Sequence, residues 1–248
     1  MTIAPVTAAR DALFAPLRVE GAAEAIVRRL GEAIGSGVLR PGERLPTEKE
    51  LAGLLDVAPM TLRQALAVLR DAGYIVTRRG RGAGSFVADD VFAPLRDAGR
   101  SPSEAALRDL VDWRRAVSGE SAALAAERSD AQAVHAIALA ATAVGAGANG
   151  PFSTYRLADS AFHLALAEAT GSRRLVAGET AIQAELGELL ATLPGTTSAR
   201  ALAASAEGHD PIVVAVAAAD PESARAAMIR HAEATFDWVV GLRLGRLA

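Results

Sequence analysis

The chain has 248 residues, enough for one large or two ordinary domains. Its 51% hydrophobic and 22% charged residues describe a folded protein and exclude extended disorder. A formal net charge of −3 excludes a general polyanion binder, so any contact with nucleic acid needs a local basic face. There is no cysteine, hence no disulfide framework and no thiolate chemistry. Residues 1–19 lack the continuous apolar core of a signal peptide. No stretch approaches the roughly 20 apolar residues that span a bilayer, so the expectation is a cytoplasmic chain with no membrane partner.

Residues 1–20 read as an N-terminal extension. From Ala22 to Ser36, Ala23, Ile26, Val27, Leu30 and Ile34 recur at helical spacing. Gly35, Gly37, Pro41 and Gly42 end that helix. Thr47 with Glu50 three residues later is a capping box, and it opens a second helix carrying Leu51, Leu54 and Leu55. Pro59 suits the first turn of a third helix whose inner face is Leu62, Ala65, Leu66 and Leu69, stopped at Gly73. Residues 74–78 and 85–87 are strand-like and flank a Gly/Arg turn. Between residues 60 and 85 there are five arginines against one aspartate, although residues 21–90 as a whole are nearly neutral.

Two short helices, a turn and a hairpin form a unit that can enter a DNA groove. The third helix would lie in the major groove with Thr61, Arg63 and Gln64 near its leading end. Arg79, Gly80 and Arg81 on the hairpin would reach a neighbouring phosphate strand or the minor groove. This unit covers residues 21–87. Residues 88–103, with Asp89, Asp90, Pro94, Asp97, Gly99 and Pro102, have linker composition around a short helical turn. Residues 104–248 read as an all-helical bundle of about six or seven helices, making the fold mainly α.

The bundle holds all four histidines: His135, His163, His209 and His231. Asp159 and His163 are spaced i, i+4, so a carboxylate and an imidazole share one helix face and can chelate one ion. His209 lies near the start of a further helix and His231 within the last one. A bundle can bring these segments together around its core.

The run Leu45-Pro46-Thr47-Glu48-Lys49-Glu50-Leu51-Ala52, the segment Thr61-Leu62-Arg63-Gln64-Ala65-Leu66, and Gly80-Arg81-Gly82 before Phe86-Val87 resemble the winged helix-turn-helix of the GntR family of bacterial transcription regulators. The resemblance implies DNA contacts at Lys49, Thr61, Arg63, Arg79 and Gly80. Ala58-Pro59 departs from the Ser-Arg that the family commonly carries in this turn. The bundle in turn resembles the FCD domain of the FadR subfamily. That likeness implies a divalent metal of the Zn, Ni or Mn type on Asp159, His163, His209 and His231. It also implies Arg114 as the partner of a small organic-acid effector, and leaves His135 without a counterpart. Ser118 stands where relatives often have Glu. The whole implies a homodimeric repressor of a metabolic operon on a palindromic operator, and no enzyme. The alternative reading is a metal-dependent hydrolase built on the same Asp/His3 set, with Glu168 or Glu207 as base.

Overall fold

The computed structural model describes residues 21–96, 103–192 and 199–243. The N-terminal extension, residues 97–102 of the linker, residues 193–198 and the last five residues lie outside them.

Helix α1 (Ala22–Gly35) buries Ile26, Leu30 and Ile34, the stripe expected from the sequence. Helix α2 (Glu48–Leu55) starts at the capping box: the Glu50 amide donates to Thr47 Oγ1 (3.3 Å), and the Thr47 amide donates to Glu50 Oε2 (2.9 Å). Asp56 ends it in a left-handed conformation (φ 51°). Helix α3 (Pro59–Asp71) then leaves at 109°, within the range usual for a helix-turn-helix. Strands β1 (Ile75–Arg78) and β2 (Gly84–Val87) pair antiparallel, with Ile75 opposite Val87 and Arg78 opposite Gly84. Gly80 and Gly82, at φ 85° and 90°, make the tip that links them. The wing is fastened by Arg44, which bridges to Phe86 and donates from Nη2 to the Ala83 carbonyl (2.9 Å). Leu62, Leu66, Leu69, Ile75 and Val87 close the core of this unit.

The linker composition of residues 88–103 conceals packed structure. Val91 and Phe92 are buried, and Phe92 meets Phe152 edge to face at 5.9 Å, ahead of the short α4 (Ala93–Arg96). Seven helices follow among the described residues, the upper end of the expected number: α5 (Glu104–Arg128), α6 (Ala131–Gly147), α7 (Phe152–Ala169), α8 (Arg173–Ala191), α9 (Ala199–Glu207), α10 (Asp210–Ala217) and α11 (Pro221–Arg243). The long α5 runs against α11, and α6 against α7, while α8 crosses to α1 of the winged unit.

Small residues make that last crossing possible. A side chain at Gly35 would press on Ala184, and one at Gly187 would meet the Phe92 ring at 3.0 Å. The two units are thus in direct contact through α8. No single helix among the described residues is long and apolar enough to cross a membrane.

Candidate functional site

The residues expected to meet DNA sit on α2, α3 and the wing. Lys49 is exposed in the first turn of α2. Thr61 is half-buried and Arg63 and Gln64 are exposed in the first two turns of α3. Arg79, Gly80 and Arg81 are exposed at the wing tip. Two other arginines of this basic stretch serve the fold: Arg70 Nε donates to Thr77 Oγ1 (2.9 Å), and Arg78 lies over the Phe86 ring at 4.4 Å. Structure therefore separates scaffold arginines from outward ones, a division that sequence alone could not make. A hollow of about 840 Å³ beside Arg44, Thr47 and Leu54 is an open surface groove lined by none of the histidines.

Inside the bundle, Asp159, His163, His209 and His231 come together. One candidate ligand atom from each lies within 4.8 Å of all the others, and all four residues are buried. The imidazole centroids are 4.3 Å apart for His209 and His231, 5.3 Å for His163 and His231, and 5.5 Å for His163 and His209. Helix α7 supplies the i, i+4 pair, the α9–α10 junction supplies His209, and α11 supplies His231. His135 is exposed on α6 and takes no part.

The hydrogen bonds fix where the lone pairs point. His209 Nδ1–H donates to the Ala206 carbonyl (3.0 Å), which leaves Nε2 as the basic nitrogen, 3.1 Å from Asp159 Oδ1. Two acceptors so close need a proton or a cation between them. Arg114 Nη2 donates to His163 Nε2 (3.1 Å). One ring nitrogen of each of the three histidines (His163 Nδ1, His209 Nε2, His231 Nε2) has no hydrogen-bond partner. Buried polar atoms left unpaired are costly. His163 Nε2 accepts from Arg114, so its unpaired Nδ1 carries the ring's proton. A cation would take one nitrogen from each ring beside the Asp159 carboxylate, a set that suits a divalent ion.

The surroundings hold the donors in the form a metal needs. Burial, and then the charge of Arg114, keeps His163 neutral to well below the usual imidazole range; burial and His209 do the same for His231. Burial would raise the Asp159 carboxyl. The charge of Arg156 and the His209 contact overcome it and hold Asp159 well below the usual carboxylate range. An ionised carboxylate and neutral imidazoles are the protonation states that coordinate metals.

Several of these partners escaped the sequence reading. Arg156 is fully buried, pairs with Asp159, and donates to the side chain and carbonyl of Gln183. Glu179, also fully buried, accepts from Ser118 Oγ (2.8 Å) and Gln183 Nε2 (2.6 Å), and lies 4.0 Å from His163 Nδ1. A carboxylate thus stands beside the site after all, but on α8, with Ser118 as its donor on α5. The signal available was Glu179 and Gln183 at i, i+4 among the apolar positions of α8.

Gly208 makes room for His231. A Cβ there would fall 2.8 Å from His231 Nδ1. Gly208→Ala is therefore expected to displace the ring and weaken metal affinity at least tenfold with the fold retained, checked by competition titration against a chelator. Unchanged affinity would mean that His231 is free to shift.

Residues 22–84 match the family described as "Bacterial regulatory proteins, gntR family", and residues 109–234 match the FCD domain. The chain is 35% identical to the HTH-type transcriptional regulator RmpR of Mycobacterium gastri over 84% of its own length and 77% of that protein. It is 30% identical to LutR of Bacillus subtilis over 80% and 92% of the two chains. It is 35% identical to the Uxu operon transcriptional regulator of Escherichia coli over 55% and 53%. Among solved structures, E. coli McbR/YncC matches with a TM-score of 0.53 at 17% identity, covering 89% of this chain and 97% of that one. A GntR regulator from Rhodococcus sp. RHA1 matches at 0.52 and 23%, covering 88% and 97%. Families and relatives alike are regulators and give the hydrolase alternative no support, and Glu168 and Glu207, its candidate bases, are exposed while the cluster is buried. The winged unit, the helical bundle and these matches identify the chain as a DNA-binding transcription regulator of the GntR family with an FCD domain.

Proposed function

We propose that this regulator is a homodimeric repressor of a metabolic operon whose operator affinity is set by a small carboxylate bound beside a divalent metal. The carrying observation is the buried Asp159/His163/His209/His231 cluster with the buried cation Arg114 against it. Asp159 and the three histidines would hold the ion; Zn²⁺, Ni²⁺ or Mn²⁺ suits three imidazoles and one carboxylate. Bound there, the ion would supply Lewis acidity and open positions for an acid's oxygens. Arg114 would pair with the same carboxylate, as its forked guanidinium favours.

The division of the chain into residues 21–87 for DNA, 88–103 as connection and 104–248 for metal and effector belongs to the same reading. Binding can change operator affinity only if the acid binds differently to the competent and incompetent arrangements of the two winged units. Support for such coupling comes from α8. Its Gln183 touches Arg156 of the metal site, and its neighbour Ala184 packs on Gly35 of the winged unit. Two-fold symmetry calls for a palindromic operator, met in the cytoplasm where the chromosome is.

Lys49, Thr61, Arg63, Gln64, Arg79, Gly80 and Arg81 are the proposed DNA face. Among the described residues, no side-chain hydrogen bond or ion pair holds the exposed Arg63, Arg79 and Arg81 back from DNA. The test is an operator selected from random sequence, followed by titration of Arg63→Ala. Loss of a base contact costs about 1–3 kcal/mol. Affinity should therefore fall at least tenfold while the melting profile is unchanged; retained affinity would overturn the assignment.

A further inference from the structure

Arg114 occupies a lone pair that a metal would need. Its Nη2 donates to His163 Nε2 (3.1 Å), and both side chains are buried. A neutral imidazole has a single lone pair in its ring plane, and here the guanidinium takes it. The other tautomer gives no way round. With the proton moved from Nδ1 to Nε2, the lone pair at Nδ1 would be free, but the Nε2–H would then face the Arg114 N–H, donor against donor. His163 can therefore serve a metal through either nitrogen only after Arg114 has let go of it. The other two rings carry no such block, because no donor sits on His209 Nε2 or His231 Nε2.

The surroundings show where the released head group belongs. Asp159 and Glu179 are the carboxylates whose charges act on Arg114. Asp159 is committed to Arg156 and to the cluster. Glu179 is fully buried and holds neutral donors, Ser118 Oγ (2.8 Å) and Gln183 Nε2 (2.6 Å), one on each oxygen. Each oxygen keeps a further lone pair. Ser118 lies one helical turn beyond Arg114 on α5, so its bond to Glu179 brings that carboxylate alongside the face that carries Arg114. Arg114 Nε, buried and without a partner, is a donor still to be satisfied.

Resting on the reading above, that Asp159 and the three histidines hold a metal, we propose that Arg114 is a built-in cation that competes with the metal for His163 and passes to Glu179 on metal loading. In the metal-free protein Arg114 satisfies the His163 lone pair and places a positive charge in the site. In the loaded protein it pairs with Glu179, and its fork keeps further N–H donors for an acid's oxygens. The site thus carries its own competitor, which holds metal affinity below what the four ligands alone would give. Release of Arg114 becomes a consequence of metal loading.

The test is titration of the full-length protein with Zn²⁺ in competition with a chelator. Arg114→Met keeps an apolar stem and removes the donor. It should bind Zn²⁺ about tenfold more tightly than wild type or better, the worth of one hydrogen bond from a charged group. An arginine that merely supports the site would give the opposite sign. Glu179→Gln should weaken Zn²⁺ binding about tenfold in the wild-type background, where Arg114 loses its destination. In the Arg114→Met background the same change should move affinity by no more than about twofold, since no cation is left to receive. Folded Arg114→Met that binds Zn²⁺ no more tightly than wild type would overturn the inference and leave the metal reading standing. Equal losses from Glu179→Gln in both backgrounds would overturn the transfer to Glu179. Should Arg114→Met fail to fold, wild type decides: in a crystal structure of the Zn²⁺-loaded protein Arg114 should lie on Glu179, and a guanidinium still bonded to His163 would overturn the inference. Wild type and Arg114→Met that both take up no Zn²⁺ would remove it together with the metal reading.

Discussion

Arg156→Met should lower the unfolding free energy by about 3–5 kcal/mol, the cost of leaving a buried charge without its partner. Arg156 is 0% exposed and lies between Asp159 and Gln183. Its charge is the strongest influence that offsets burial and keeps the Asp159 carboxyl ionised. Without it, Asp159 must either stay charged in an apolar surround or take up a proton, and a protonated carboxyl is a poor metal ligand. The same change frees the Gln183 carbonyl and side chain, so α8 loses its bond to α7. Urea denaturation of wild type, Arg156→Met and the double variant Arg156→Met/Asp159→Leu separates these effects. The double variant should regain most of the loss because no lone charge remains, yet it should hold no metal. A single-variant loss under 1 kcal/mol would mean that the pair is solvated and the site open.

The winged unit was legible because its signals are local. Thr47 and Glu50 satisfy each other within one turn, Pro59 occupies a position where a missing amide costs nothing, and Gly73 adopts φ 82°. Asp159 and His163 were legible for the same reason, one helix turn apart. His209 and His231 needed the resemblance as well, since nothing local fixes how α10 and α11 approach α7. The unread parts are those made by tertiary packing. Glu179 becomes a partner of Ser118 only when α8 crosses α5, 61 residues away in sequence. Phe92 reads as one aromatic in a polar linker until Gly187 lets α8 close over it. Ser118 exemplifies the limit: the family resemblance implied a missing acid there, and sequence could not show that Glu179 brings one from another helix.

Metal bound at the Asp159/His163/His209/His231 cluster should stabilise the bundle measurably, and His231→Ala should remove that gain. A ligand at 100 times its dissociation constant stabilises the folded state by about 2.7 kcal/mol. For a chain of this size each kcal/mol moves the midpoint by about 2–4 °C. Wild type stripped by chelator should therefore melt about 5–10 °C below the metal-loaded form. His231→Ala should melt near the stripped form whether or not metal is added. The contrast with Arg156→Met is diagnostic, because His231 is neutral and its removal strands no charge; only the coordination and the ring's packing are lost. Equal melting with and without chelator would mean that hydrogen bonds alone satisfy the four side chains. The unpartnered Nε2 atoms of His209 and His231 argue for the larger shift. Because α8 carries both the Glu179/Gln183 level and the Ala184 contact with Gly35, that shift should appear in the winged unit too, as a single cooperative transition.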